Sequence, residues 1–540
     1  MHTGAAAWSL RPRAAGLGYG LGPAAALILG AAYLLWTPAV PDLAAQVARA
    51  DTARIAGMTT WWTGWFGGVS LPTYSMFVPA WMAVFGVEMT GLLAVVAGTA
   101  ATARLVRDAR RPRAGAVACV VAQAGDLLDG RVTFAVGVAL GAWSLVALRQ
   151  RHALLCLAAA VACFGASPLA GLFLGIVLLA TAAADRSRRR TSVAGAVVLV
   201  GVGTTMAFLF PGTGTMPFHA GDVIAPGAAC LGVLMTCRTR VLRVAALLLL
   251  AAIVAFFLHP GAVGQNVTRL AWIAAAPVVI AYSALPSKRT VAIAAGLALW
   301  PAGDLIGQLH TSTAKSSQES FYRPVATHVS RLRAAAGPSA IGRRLEVVDT
   351  ANHWGSAYLS SQSLARGWDR QVDRAVNPIF YRPGALTAAS YRTWLDHLAV
   401  GWVALPSGGL DYASADEGAL VRSGLPYLSL VWSSHDWRLY RVRAPTNLVT
   451  GARLVSVGAN SLVVRTTRPG FVGIRVRWSA YLQVDDSATG AATPGCVLDA
   501  GGWVRVYLPR PQTFRLTTDF DPATRLRGTD TDCPSDVPAD

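Results

Sequence analysis

Charged residues are scarce in this 540-residue chain: only 14% of it is Asp, Glu, Lys or Arg, while 54% is hydrophobic. This composition excludes an ordinary soluble protein of this length. The shortage is greatest in the first half, where apolar runs of about 15–20 residues are separated by short charged or Gly/Pro-rich breaks. Because a membrane-spanning helix needs about 20 apolar residues, the first half predicts an integral membrane domain.

Cysteine is also scarce, and its seven residues lack the C-x-x-C spacing of zinc and redox sites. The metalloprotease pattern H-E-x-x-H is absent as well. Five cysteines fall in or beside apolar runs, where we expect them to be small apolar fillers. The other two, Cys496 and Cys533, lie in the second half and could form a disulfide in an oxidising compartment.

The net charge of +19 would suit a nucleic-acid partner, but the positions of the basic residues argue against one. In the first half, most Lys and Arg stand in clusters between apolar runs, at 11–13, 107–113, 149–151, 185–190, 238–243 and 287–289. Clusters in alternate loops follow the positive-inside rule, which sets the orientation of membrane helices. The charge therefore predicts a lipid bilayer as partner and no nucleic acid.

Placing every basic cluster in the cytoplasm predicts a multi-pass plasma-membrane protein with about 11 spans. The predicted helices are 17–36, 72–99, 114–125, 131–148, 152–166, 168–184, 191–210, 222–236, 241–258, 270–285 and 290–308. The first is kept as an anchor because no A-x-A cleavage site follows it. Residues 37–71 become a long outer loop, and the C-terminal half lies outside the cell.

The C-terminal half has a different pattern. From residue 318 to 444, strand-like and helix-like segments alternate, and short alternating strands follow. This predicts three domains: a transmembrane helical domain at 1–309, an extracytoplasmic α/β subdomain at 310–445, and an extracytoplasmic β-sandwich with a disordered tail at 446–540.

Acidic residues of the membrane half gather at the predicted outer face. They are Asp42, Asp51, Asp126, Asp129, Asp222 and Asp304. Carboxylates at the mouth of a membrane bundle are candidates for function, although outer loops poor in Lys and Arg also contain acids by default. Asp42 and Asp126 are favoured because each stands at a helix end. Asp51 is assigned to an ion pair with Arg54 or to solvent.

Other outer residues are candidates for binding. Two Gly/Pro-rich outer loops carry His219 and Asn266, and the second ends in Arg269. Arg269 can bind a phosphate bidentately, or its side chain can simply reach the lipid headgroups. A stretch at 352–373 contains Trp354, Arg366 and Trp368, which suit carbohydrate; the alternatives are a membrane-facing loop or a seam between domains.

Two segments carry a resemblance to known families. PDLAAQVARADTARIAG (41–57) with GWFGGVSLPTYSMFVPAW (64–81) resembles the D-x-x-x-H-x-x-R…G-x-P-x-Y…P layout of bacterial membrane proteins related to the polytopic glycosyltransferases of the C superfamily (GT-C). The segment 344–381 is similar to one in large actinobacterial integral membrane proteins. Gln46 stands where the layout has His, and Gln can neither act as a base nor bind a metal well.

The resemblance implies a GT-C-like fold and transfer of a sugar from a polyprenyl-phosphate-linked donor to a cell-wall glycan or glycolipid acceptor. It implies Asp42 as the catalytic base and Asp126 as its partner. Arg269 is then the phosphate clamp, with Arg54 in reserve. If a divalent ion takes part, Asp126 and Asp129 are its candidate ligands, and oxygen ligands favour Mg²⁺ or Mn²⁺. A transporter or flippase of an envelope precursor, or a non-catalytic scaffold for envelope assembly, stays open as an alternative.

Overall fold

The structure, a computed structural model, describes residues 21–212 and 214–522. The predicted cluster at 11–13, Cys533 and the predicted disordered tail beyond 522 lie outside these residues. Within them, the first half is helical and the second half is rich in β-strands. Cys496 is disulfide-bonded, and Cys119, Cys156, Cys163, Cys230 and Cys237 are free.

Thirteen helices are described in the first half. They are α1 Leu21–Leu35, α2 Pro41–Ala56, α3 Val78–Phe85, α4 Val87–Leu105, α5 Pro112–Leu128, α6 Val132–Arg149, α7 Ala153–Ala166, α8 Pro168–Ala184, α9 Arg189–Leu209, α10 Gly221–Thr236, α11 Arg240–Leu258, α12 Arg269–Tyr282 and α13 Ser287–Ser312. A short hairpin, β1 Trp61–Trp62 with β2 Val69–Ser70, lies between α2 and α3, and a 3₁₀ turn, Gly264–Thr268, precedes α12.

Several of these helices are apolar enough for a membrane. Among the described residues, α6, α9, α11 and α13 are each long and apolar enough to cross a bilayer, and α3 with α4 would form a fifth, broken span. Shorter apolar helices include α7, α8 and α10. The number of 11 spans stays a prediction.

Two of the predicted segments differ from the structure. The predicted outer loop contains the 16-residue helix α2, whose Ala-rich sequence favours a helix although it is not apolar enough for a span. The single predicted helix at 72–99 is a pair, α3 and α4, bent by 114° at Gly86. Gly86 has φ +87°, a conformation that ends α3 because it cannot continue a right-handed helix.

The basic clusters at 107–113 and 149–151 lie together at one end of the bundle, beside the loop that leads to the cluster at 287–289. Arg111 donates to the backbone carbonyl of Ser283 at 3.1 Å, and Arg149 pairs with Asp108 at 2.7 Å. Because α5 runs from this end to Asp126, the acidic residues of the α5–α6 turn lie at the opposite end. This arrangement agrees with the charge pattern of the sequence.

The α/β unit that follows contains one mixed sheet in the order β3-β4-β6-β5, with β3 and β4 parallel. Its elements are α14 Glu319–Ala336, β3 Arg344–Val347, α15 Gly355–Tyr358, α16 Arg370–Val376, α17 Ala388–His397, β4 Val400–Pro406, α18 Ala415–Arg422, β5 Leu428–Ser433 and β6 Trp437–Val442. Strands β5 and β6 form an antiparallel hairpin at one edge of this sheet.

Two four-stranded antiparallel sheets follow, ordered β12-β13-β10-β7 and β11-β14-β9-β8. Their strands are β7 Val449–Thr450, β8 Arg453–Val457, β9 Leu462–Arg465, β10 Gly470–Arg477, β11 Leu482–Asp486, β12 Cys496–Ala500, β13 Trp503–Leu508 and β14 Thr513–Thr518. Alternate side chains of both sheets, such as Val472, Val506 and Phe514, are buried in one shared core, which is the pattern of a β-sandwich. Tyr481 of this unit donates to the carbonyl of Leu209, at the end of α9 away from the basic loops.

Candidate functional site

Asp42 stands in the first turn of α2, directly after Pro41. Pro favours the first helical position, and an acid there is stabilised by the helix dipole. The turn between α5 and α6 packs closely on this helix start. A Cβ on Gly130 would lie 2.6 Å from the backbone nitrogen of Leu43, so only glycine permits the approach. Asp126, Asp129 and Arg131 are thereby brought beside Asp42.

The guanidinium of Arg131 is surrounded by four carboxylates. Its ion pairs are Nε to Asp42 at 3.3 Å, Nη1 to Asp129 at 2.9 Å, Nη1 to Asp126 at 3.7 Å and Nη2 to Asp304 at 3.5 Å. The ring of Trp272 lies 5.3 Å from the guanidinium carbon. We call these five ionic residues, together with Arg269, the Arg131 cluster.

Arg269 joins the cluster through Asp42. Its Nη2 lies 3.7 Å from the same Asp42 oxygen that faces Arg131, and its guanidinium lies 5.9 Å from the ring of Phe134. The 3₁₀ turn before α12 places Arg269 at the first position of that helix. Asp42 thus lies between two cations.

The Arg131 cluster has a closed side and an open side. The side chains of Asp126 and Asp129 are 5% and 0% exposed, whereas those of Asp42 and Asp304 are 33% and 41% exposed. Arg269 is 22% exposed. A ligand can therefore reach Asp42 and Arg269, whereas Asp126 and Asp129 are buried on the closed side of the cluster.

Gln46, where the sequence departs from the resemblance, lies one turn after Asp42 on α2. Its amide donates to the hydroxyl of Tyr74 at 2.9 Å, and the guanidinium of Arg49 lies 3.7 Å from the Tyr74 ring. Arg49 also pairs with Asp369 of the α/β unit at 3.4 Å. Gln46 therefore holds Tyr74 in place instead of supplying a base.

Two tryptophans predicted to contact carbohydrate hold the start of α2. The indole of Trp354 donates to the carbonyl of Ala39 at 2.7 Å, and that of Trp368 donates to the carbonyl of Pro41 at 2.8 Å. Both carbonyls belong to residues that come just before Asp42 in the chain. The geometry matches one alternative interpretation of this stretch, a seam between domains. It favours a positioning role for the two tryptophans over the predicted sugar contact.

We expect Trp368→Phe to lower the turnover rate by roughly fivefold to tenfold, because a hydrogen bond that orients Asp42 is worth about 1 kcal/mol. Phe keeps a ring against His353, on which Trp368 stacks at 3.6 Å. The measurement is kcat of the purified variant for the sugar transfer that the resemblance implies. Trp432→Phe is the matched control, since Trp432 stacks on His328 elsewhere in the same unit. An unchanged kcat in Trp368→Phe would refute the positioning role.

Arg366 is enclosed inside the α/β unit. Its Nη2 pairs with Asp373 at 2.7 Å and its Nη1 with Glu417 at 3.1 Å, and all three side chains are buried. A side chain held in this way is not available to a sugar in this structure, so the geometry favours an internal structural role over the predicted binding role. Glu346 of β3 is buried in the same network.

Burial and the neighbouring charge of Glu417 raise the pKa of Glu346 well above its ordinary value. The folded state therefore keeps this proton at pH values where the unfolded chain, with a Glu pKa of about 4.3, has released it, so stability falls as pH rises above that value. We expect Glu346→Gln to raise the melting temperature at pH 8 and to change it little near pH 4. Thermal unfolding of the purified protein checks this, with exposed Glu319→Gln as control. A lower melting temperature at pH 8 would contradict it.

Two of the remaining predicted residues, His219 and Arg54, pair within their own segments. His219 lies 3.4 Å from Asp222, and Arg54 forms an exposed ion pair with Asp51. Asn266 lies in the 3₁₀ turn immediately before Arg269. Asp51 therefore has the role that the sequence assigned to it, and Arg269 is the predicted basic residue that reaches Asp42.

Two members of the cluster are not predicted as site residues from the sequence. They are Arg131 and Asp304, the second of which is only one of six outer acids in the sequence. The D-x-x-D-G-R spacing of residues 126–131 was the available signal, because a tight turn with Gly at φ +77° brings its acids and its Arg together.

The predicted divalent ion does not fit the residues as they are arranged. Asp126 and Asp129, its expected ligands, face the same Arg131 nitrogen. Among the residues described, no group of three or more His, Cys, Asp or Glu side chains is arranged to hold a metal ion.

Comparisons with known proteins give matches only among solved structures, since no family model and no curated protein matches. The chain is similar to arabinofuranosyltransferase AftD from Mycobacteria, with 13% identity, TM-score 0.44 and 94% of this chain covered. It is similar to ArnT from Cupriavidus metallidurans bound to undecaprenyl phosphate, with 15% identity, TM-score 0.43 and 80% of this chain covered. It is also similar to arabinosyltransferase EmbB from Mycobacterium smegmatis, with 12% identity, TM-score 0.31 and 94% of this chain covered.

The matches cover 60% of the AftD chain, 100% of ArnT and 62% of EmbB. This chain thus spans about three fifths of the length of two of its structural neighbours. All three are GT-C glycosyltransferases.

Proposed function

We propose that this chain is a membrane glycosyltransferase that transfers a sugar from a polyprenyl-phosphate-linked donor to a cell-wall glycan or glycolipid at the outer face of the plasma membrane. The observation that supports this most is the convergence of Asp42 and Asp126 on Arg131, with Arg269 beside Asp42. Two carboxylates and a partly exposed cation at the mouth of an apolar bundle are what such a transfer requires.

In this mechanism Asp42 is the general base. It accepts the proton of the acceptor hydroxyl as that oxygen bonds to the anomeric carbon of the sugar. The bond from that carbon to the lipid phosphate breaks, and the phosphate leaves with the electron pair. Arg269 stabilises the departing phosphate through two parallel hydrogen bonds. Asp126 contributes from the closed side by holding Arg131 against Asp42.

The proposed orientation follows from the two ends of the bundle. The basic loops at one end face the cytoplasm, by the positive-inside rule. The Arg131 cluster, the α/β unit and the β-sandwich then lie outside the cell. The first half of the chain crosses the membrane about 11 times. A lipid-linked donor would enter from the outer leaflet, where its phosphate lies at the depth of the helix ends.

A reconstituted assay tests the proposal. The purified protein in nanodiscs is incubated with radiolabelled polyprenyl-phosphate-linked pentose or hexose and with envelope glycan from a strain lacking the gene. We expect label to move from the lipid to the glycan. Movement of the lipid across a vesicle membrane without transfer would favour a flippase. Neither activity, together with an envelope defect in the deletion strain, would favour the scaffold.

A further inference from the structure

The carboxylates of the Arg131 cluster need a positive charge beside them. Four aspartates converge there, and Asp126 and Asp129 are almost fully buried. Burying carboxylates in a membrane protein is costly unless a cation is held with them. In many oxygen-rich sites that cation is a divalent metal ion.

Here a guanidinium occupies the centre. Three nitrogens of Arg131 face four different aspartates at 2.9 to 3.7 Å, and Trp272 lies near its face. Oxygen ligands bind Mg²⁺ at about 2.0–2.1 Å, so an ion and the guanidinium cannot share this space. The cavity next to Asp126, lined also by Gln123, has a volume of about 10 Å³, which holds no more than one water.

We propose that the guanidinium of Arg131 is the resident cation of this site and takes the place of a divalent metal ion between Asp42, Asp126 and Asp129. This rests on the proposed function for its catalytic meaning. Arg131 is then a positioning residue: it neutralises the buried aspartates, fixes the Asp42 carboxylate, and leaves Arg269 to bind the donor phosphate. Turnover is accordingly independent of added divalent cations.

A matched pair of variants tests this without any sugar substrate. Arg131→Met removes the charge at similar length, and Arg131→Lys keeps a charge. We expect Arg131→Met to bind Mn²⁺ at least roughly tenfold more tightly than the wild type, because its carboxylates have lost their cation. Electron paramagnetic resonance measures the bound Mn²⁺. Arg131→Lys should behave like the wild type, and Arg131→Met with Asp129→Asn should lose the new site. Folded Arg131→Met without this gain would overturn the proposal.

The wild type provides a second measurement if Arg131→Met does not fold. We expect EDTA to leave its melting temperature unchanged, and Mn²⁺ to bind no more tightly to the wild type than to Asp129→Asn. A Mn²⁺ site that disappears in Asp129→Asn would overturn the proposal. Because both readouts are binding and stability, a failed glycosyl-transfer assay would refute the proposed function and leave this test intact.

Discussion

Asp42→Asn is expected to lower the rate of sugar transfer by roughly 10²–10⁴-fold, the usual contribution of a general base. Asn has the size of Asp but cannot accept the proton of the acceptor hydroxyl. The Asp42 side chain is open enough to meet an acceptor, and its position between Arg131 and Arg269 is held by α2. The measurement is kcat in nanodiscs, accompanied by envelope glycan composition of cells that carry the variant.

Asp51→Asn is the matched control on the same helix. Asp51 is exposed and pairs with Arg54, two turns and more from Asp42. We expect it to leave the glycan unchanged at normal abundance. If Asp42→Asn also leaves the glycan unchanged while the protein is present at normal levels, Asp42 is not the base.

Arg269→Gln is expected to raise KM for the lipid-linked donor and to lower kcat, together by roughly 10²–10³-fold in kcat/KM, the range seen when one donor to a developing anion is removed. Gln keeps polar atoms but loses the charge and the paired N–H groups. Arg269→Lys should recover only part of the loss, since an ammonium cannot bind phosphate bidentately. Donor titrations in the reconstituted assay give both constants.

The control for Arg269 is Arg54→Gln, which removes an exposed arginine paired with Asp51. Arg54 is the alternative phosphate clamp predicted from the sequence. In the structure it pairs with Asp51, outside the Arg131 cluster. We expect its constants to match the wild type. If Arg269→Gln and the wild type have the same KM for the lipid-linked donor, another group binds the donor phosphate.

The sequence located the carboxylates of the site better than it located the elements that hold them. Asp42 and Asp126 were predicted from their places at helix ends, and both meet Arg131. The helix α2 was missed because the span prediction depends on apolar runs, whereas α2 owes its form to alanines and its Pro start. Hydropathy carries no information on such a helix.

Tertiary contacts explain the other differences. Trp354 and Trp368 have the composition of a sugar-binding stretch, yet their indoles donate to backbone carbonyls more than 300 residues away. No local pattern predicts a partner at that separation. Arg366 likewise has its acids, Asp373 and Glu417, on different helices, α16 and α18. The role of an aromatic or an arginine is set by what folding brings to it.

The most direct test of the proposed site is a cryo-EM structure of the protein in nanodiscs with a polyprenyl phosphate. The account predicts a phosphate oxygen about 3 Å from the Arg269 guanidinium, with the Asp42 carboxylate facing the same space. Arg131 should remain between Asp126 and Asp129. A lipid phosphate bound elsewhere on the bundle, with the Arg131 cluster closed to it, would contradict the account.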